Sequence, residues 1–201
     1  SQFNLKMKYD LSEINNIIEN RRTIYPELFS SRKVHKEQID RLLMNATWAP
    51  SHGMTQPWRF KVFMNDGLKK LSKYQSELYQ TIIAEDDFNE MKFEKLINRP
   101  ILSSAVVAIC MQRQKSKKIP EIEEIEAVAC AVQNILLTAT AYGLAVHWSS
   151  GWPTYRSETK QFLNINSADR CLGFLYIGYP ADEWPSGQRK PIEYVTDWIN
   201  E

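Results

Sequence analysis

The chain has 201 residues, 43% apolar and 24% charged, which excludes a disordered or low-complexity protein and suits one domain with a sizeable core. Its 25 basic and 24 acidic residues leave a net charge of +1, so no global charge argues for nucleic acid or an anionic membrane as partner. The three cysteines, Cys110, Cys130 and Cys171, lie in apolar runs without CxxC spacing, which points to buried, inert thiols and a cytoplasmic setting.

In chain order, SQFNLKMKYD has no apolar signal-peptide core. Asp10 opens D-L-S-E, a capping-box-like start, and Leu11, Ile14, Ile17 and Ile18 predict a helix to Arg21. A second helix is predicted from Lys36 to Trp48, stopped by Pro50. PSHGMTQPW is a stiff loop, and Arg59–Asn65 alternates as a strand before the Asp66-Gly67 turn signal. Leu68–Ile83 and Asp87–Leu96 read as polar, surface-lying helices. Ile101–Met111, an 11-residue apolar stretch, reads as a buried central strand and falls short of the roughly 18 residues of a membrane span. After a basic loop (Arg113, Lys115, Lys117, Lys118), Glu121–Tyr142 is the longest helical pattern, with Gly143 at its end. From Ala127 to Ala141 it is apolar nearly all round, as a helix in a core or a subunit interface would be. Leu144–Trp148, Tyr155–Leu163, Cys171–Tyr179 and Ile192–Ile199 then predict strand, helix, strand and helix. This order implies a sheet packed by helices.

Several chemistries are absent from the sequence. The seven glycines form neither GxGxxG nor a P-loop, there is no GxSxG, and no metal-ligand spacing surrounds His35, His52 or His147. An enzyme built this way would borrow an organic cofactor. Three segments concentrate unusual residues. Arg21-Arg22-Thr23 suits helix capping or anion binding, because guanidiniums offer planar paired donors. PSHGMTQPW suits a connector or a pocket wall. His147–Pro153 places tryptophans beside small residues, as packing or as a close approach for a flat ring.

Taken in order, IIENRRT, APSHGMTQPWRF, AVQNILLTATAYGLAVHWSSG, LGFLYIGYP and RKPIEYV resemble the FMN-dependent nitroreductase family, and its compact single-domain branch in particular. The resemblance runs from about Leu11 to Trp198. It implies an α+β fold with a central mixed, mainly antiparallel sheet wrapped by helices. It implies one domain over residues 1–201, with 180–201 as a C-terminal arm, and a homodimer with FMN at the interface.

By the same resemblance, Arg21, Arg22 and Thr23 hold the FMN phosphate and ribityl chain, with Arg189 as the second phosphate-binding arginine and Lys190 as its alternative. Ser51, His52 and Gln56 stand on the loop that reaches the flavin, His52 from the other subunit. Trp148, Ser149 and Ser150 run beside the isoalloxazine. Thr138, Ala139, Thr140, Ala141, Tyr142 and Gly143 match a segment placed near the nicotinamide nucleotide. Met54 and Trp48 depart from the family pattern, which often has Asn and a basic residue there.

The implied activity is ping-pong hydride transfer from NADH or NADPH through FMN to a nitroaromatic or quinone-like acceptor. No metal is expected, and no nucleophile is needed; His52 is the one candidate proton donor near the ring. A flavin sensor or store, or a relative with dehalogenating or enone-reducing chemistry, are the rival readings, with Lys69–Asn98 as the candidate lid.

Overall fold

The structure is a computed structural model and describes residues 8–200. Helix α1 (Leu11–Asn20) starts where Asp10 accepts from the N–H groups of Ser12 (2.9 Å) and Glu13 (3.4 Å). Then come α2 (Lys36–Ala46), β1 (Trp58–Met64), α3 (Asp66–Ile82), α4 (Glu90–Leu102) and β2 (Ala105–Met111). The chain continues with α5 (Glu121–Tyr142), β3 (Ala145–Ser149), α6 (Ser157–Phe162) and β4 (Arg170–Gly178).

The four strands form one sheet in the order β1-β2-β4-β3, every named pair antiparallel. The parallel component of the expected mixed sheet is a single bridge, Thr23 to Val146, on the open edge of β3. Strand β2 is buried along its whole length, as its unbroken apolar sequence requires. On one face, α2 and α5 meet Val107, Ile109, Leu175 and Ile177. On the other, Leu68 and Leu71 of α3 and Phe162 of α6 cover Val106, Ala108, Phe174 and Tyr176. The two faces alternate along each strand, so the pleat alone separates the two cores.

Helix α5 occupies its predicted span, between Pro120 and Gly143, whose φ of 73° closes the helix in the left-handed region. By length and composition it could cross a membrane, which the predicted 11-residue maximum did not allow for. Here Val128, Ala131, Val132, Ile135 and Ala139 instead lie in the core. Cys110 and Cys171 are buried opposite one another across β2 and β4, whereas Cys130 is exposed on α5, against the expectation of three buried thiols.

Three further expectations are corrected. Helix α4 runs on through Pro100 to Leu102, so β2 begins four residues later than predicted. Pro100 has no N–H for the Leu96 carbonyl; Gln75 of α3 donates its Nε2 to that carbonyl at 3.3 Å, and Ser72 Oγ donates to the Ile97 carbonyl at 2.7 Å. For the same reason Lys69–Asn98 is not a free lid: Leu71, Gln75 and Tyr79 are buried in the layer that closes one sheet face. Finally, the predicted Ile192–Ile199 helix shrinks to a turn at Ile192–Tyr194, its apolar side chains exposed. Short helices gain most of their stability from packing one face, and this chain offers that segment no surface.

Candidate functional site

The structure divides the two arginines that follow α1. Arg22 caps the helix: its Nη1 donates to the Glu19 and Arg21 carbonyls, both at 2.7 Å. Its Nε donates to the carbonyl of Pro185 at 3.1 Å, across 163 residues of sequence. Trp184 reinforces the same junction by donating Nε1 to the Asn20 carbonyl at 2.6 Å. A Cβ on Gly187 would collide with the Arg22 guanidinium, so the tail lies directly on it. This docking brings Arg189 back to Arg21.

Arg21 is thereby crowded. Partial burial, then the charges of Arg189 and Arg22, lower its pKa from the ordinary value. Among the described residues no ion pair joins a carboxylate to any of the three. Like charges gathered without a counter-ion make a site for an anion. Thr23, exposed beside them, lies along β3 because Ile24 donates to the Val146 carbonyl at 3.2 Å. Lys190 follows Arg189 and is exposed.

Strand β3 supplies the next wall. Its N–H and C=O groups alternate between β4 and the open edge. Since Val146 accepts from Ile24 on the open side, Trp148 presents its N–H and C=O there too. The Trp148 indole turns back over β4, donating Nε1 to the Leu172 carbonyl at 3.0 Å. It lies over Gly173, where an added Cβ would sit 2.7 Å from Nε1 and 2.6 Å from the Ser149 carbonyl, and where φ is +120°. Gly173 is thus a part of this wall, a role that its place in LGFLYIGYP did not reveal. Ser149 Oγ accepts from the Gly151 N–H at 3.2 Å, and Ser150 is exposed.

His147, one residue before Trp148, is buried, with Tyr25 edge-on at 4.7 Å between centroids. Burial first, then the Arg99 guanidinium, hold its pKa down to about 4. Its Nδ1 has no partner among the described residues. As pH falls through about 6.5 the unfolded chain protonates first, while the folded chain resists to about 4. Stability is therefore expected to be complete above that window and to decline through it. Urea denaturation at pH 7 and pH 4.5 should show a decline that His147→Gln flattens.

The PSHG loop lies elsewhere. Ser51 Oγ accepts from the Gln56 N–H at 3.2 Å, and the His52 Nδ1 pairs with Glu123 in the first turn of α5. Glu123 carried no sequence signal beyond its place in an acidic helix start. Ser51, His52, Glu123 and Cys130 line an open depression of about 530 Å³. Thr23, by contrast, reaches β3 just past the C-terminal end of α5. At 1.5 Å per residue the two groups stand on the order of 25 Å apart within one chain.

In the segment matched to the nicotinamide nucleotide, Thr138 and Thr140 donate to the carbonyls four residues back, both at 2.8 Å. Thr138 Oγ1 also accepts from Asn45 Nδ2 at 2.9 Å. Ala139 is buried; Ala141, Tyr142 and Gly143 are exposed. In the basic loop, Arg113 is committed to the buried carboxylate of Glu124.

The model of the "Nitroreductase family" matches residues 18–179. The Escherichia coli K12 protein named "Putative NAD(P)H nitroreductase YdjA" is 28% identical over 144 residues, 72% of this chain and 76% of that protein. A nitroreductase-like family protein from Bacillus cereus superposes with a TM-score of 0.82 at 29% identity, covering 96% of this chain and 98% of that one. An FMN and NADPH-dependent nitroreductase from Sphigopyxis sp. strain HMH shares the fold, with a TM-score of 0.70 at 16% identity over 93% and 99% of the two chains.

Proposed function

The chain belongs to the nitroreductase family, and from that premise we propose that it carries hydride equivalents from NADH or NADPH, by way of FMN, to a small organic acceptor such as a nitroaromatic or a quinone. It is an NAD(P)H-dependent flavin oxidoreductase, and FMN is its cofactor. The observation that carries the reading is the cluster of Arg21, Arg22 and Arg189 without a carboxylate partner. Its donor set fits the phosphate of FMN, which bears close to two negative charges. The chemistry that FMN supplies when bound is two-electron transfer from a nicotinamide to the acceptor.

The chain's own residues position and neutralise. Arg21 offers its guanidinium to the phosphate, Arg189 offers the N–H groups left beyond the bond from its Nη1 to the Gln188 carbonyl (2.7 Å), and Thr23 adds a hydroxyl. Arg22, spent on the Glu19 and Pro185 carbonyls, acts by holding Arg189 in place. Lys190 stands as the alternative cation at the tail. The open edge of β3 leaves the Trp148 N–H facing away from β4, where it, with Ser149 and Ser150, would hold the flavin ring. Tyr142 and Gly143 are the exposed part of the segment proposed for the nucleotide.

One flavin cannot touch both the arginine cluster and His52 of the same chain across about 25 Å, so we assign His52, Ser51 and Gln56 to the site of a second copy. The 180–201 arm supports such a dimer. Tyr194, Trp198 and Ile199 are 74%, 82% and 88% exposed there, and Trp48 on the α2–β1 connection is 84% exposed. Apolar surface of this extent belongs under a partner.

The deciding experiment is the visible spectrum of the purified protein, followed by NADH or NADPH under anaerobic conditions. Flavin bands that bleach are expected. Bands that persist would mark a flavin store, and failure to take up FMN on reconstitution would overturn the proposal.

A further inference from the structure

On the sheet face opposite α5, a cavity of about 170 Å³ lies between α4, the end of β3 and the Gly151–Thr154 turn. Its floor and walls include Trp152, Phe174 and Tyr176. Its rim carries three cations of α4, Lys92, Lys95 and Arg99, at spacings that put them on one helix face. No carboxylate lines it. Arg99 is already paired with Glu27 at 2.7 Å, outside the lining. Lys92 and Lys95 make no ion pair with any described residue. Thr154, 1% exposed, also lines the cavity, and its Oγ1 has no partner among the described residues. A buried hydroxyl left this way costs stability unless something satisfies it.

Size and chemistry together select a ligand. A cavity of about 150 Å³ holds one benzene ring, whereas drug-sized sites start near 300 Å³. Aromatic walls suit the faces of such a ring, two uncommitted ammonium groups suit an anion, and a buried hydroxyl suits a hydrogen-bonding oxygen. We propose that this cavity binds a one-ring aromatic carboxylate, with the ring among Trp152, Phe174 and Tyr176 and the carboxylate toward Lys92 and Lys95. The cavity adjoins the proposed flavin wall at Ser149, but its lining includes none of the three clustered arginines or their neighbours on the tail, so the ligand is recognised by residues with no part in the phosphate assignment.

The test is isothermal titration calorimetry of FMN-loaded protein with benzoate, its neutral isostere benzamide and ring-free acetate. Benzoate is expected to bind, and benzamide and acetate to bind at least about tenfold more weakly. K92A/K95A, two surface substitutions, should weaken benzoate about tenfold. T154V should weaken it severalfold while leaving thermal stability unchanged or raised, since it removes an unpartnered buried hydroxyl. Repetition on protein stripped of FMN should give the same order of affinities. Absence of benzoate binding up to 10 mM (roughly the limit set by the affinity scale) would overturn the proposal. So would benzoate affinity unchanged in both variants, which would place the ligand elsewhere.

Discussion

Arg21→Ala is expected to leave a folded protein that no longer retains FMN through purification. Charge-assisted hydrogen bonds contribute about 1.5–3 kcal/mol each, so loss of one guanidinium from the phosphate should raise the FMN dissociation constant about 10- to 150-fold. Stability should not fall, because Arg21 has no carboxylate partner to lose and its removal relieves repulsion from Arg189 and Arg22. Arg22→Ala should behave differently. It frees the Glu19 and Pro185 carbonyls, releases the tail and so displaces Arg189, weakening FMN binding and lowering the melting temperature together. Titration of apoprotein with FMN, followed by quenching of flavin fluorescence, separates these outcomes. Affinity within threefold of wild type in Arg21→Ala (roughly 0.7 kcal/mol, less than one net hydrogen bond) would remove the phosphate from this cluster.

That contrast also marks how far the sequence can be read. Both readings of Arg21-Arg22 were visible in it, helix cap and anion site; the structure makes Arg22 the cap and leaves Arg21 without a carboxylate partner among the described residues. Nothing local could apportion them, because the choice is made by the Pro185 carbonyl at a separation of 163 residues. Helix α5 was legible to the residue because Pro120 and Gly143 punctuate a long apolar pattern. The α4–β2 boundary was not, because Ile101 and Leu102 suit a strand as well as a helix. The missing N–H of Pro100 favours a break, and Gln75, a buried polar side chain from another helix, makes it unnecessary. The candidate lid failed for a related reason. Leu68, Leu71 and Tyr79 follow a helical stripe, but only the sheet's second face shows what that stripe covers. The Ile192–Ile199 pattern was read as a helix from periodicity alone, and periodicity without a packing surface yields only the turn at Ile192–Tyr194.

The largest stability effect is expected from Arg113→Met. Glu124, 1% exposed, puts its Oε1 against the Arg113 guanidinium and 3.2 Å from Gln114 Nε2, while its Oε2 already has no partner among the described residues. Arg113 also ties the loop to its surroundings, donating Nη1 to the Ile119 carbonyl at 2.7 Å and its backbone N–H to Asp169 at 2.9 Å. The substitution leaves a carboxylate in the core with only an amide beside it, a change that typically costs about 3–5 kcal/mol. Urea denaturation at pH 7 should show a loss of that order. The double variant Arg113→Met/Glu124→Leu should recover most of it, because apolar groups of similar volume replace a buried pair at little cost. A single-variant loss below about 1 kcal/mol would mean that the pair is effectively solvated. The pair bears on function through its neighbour. Glu124 fixes the first turn of α5, and the next residue back, Glu123, seats His52. The Arg113–Glu124 pair, drawn from a loop legible in the sequence only as basic, therefore braces the helix turn on which His52 is seated, the residue proposed above to serve the site of a second copy.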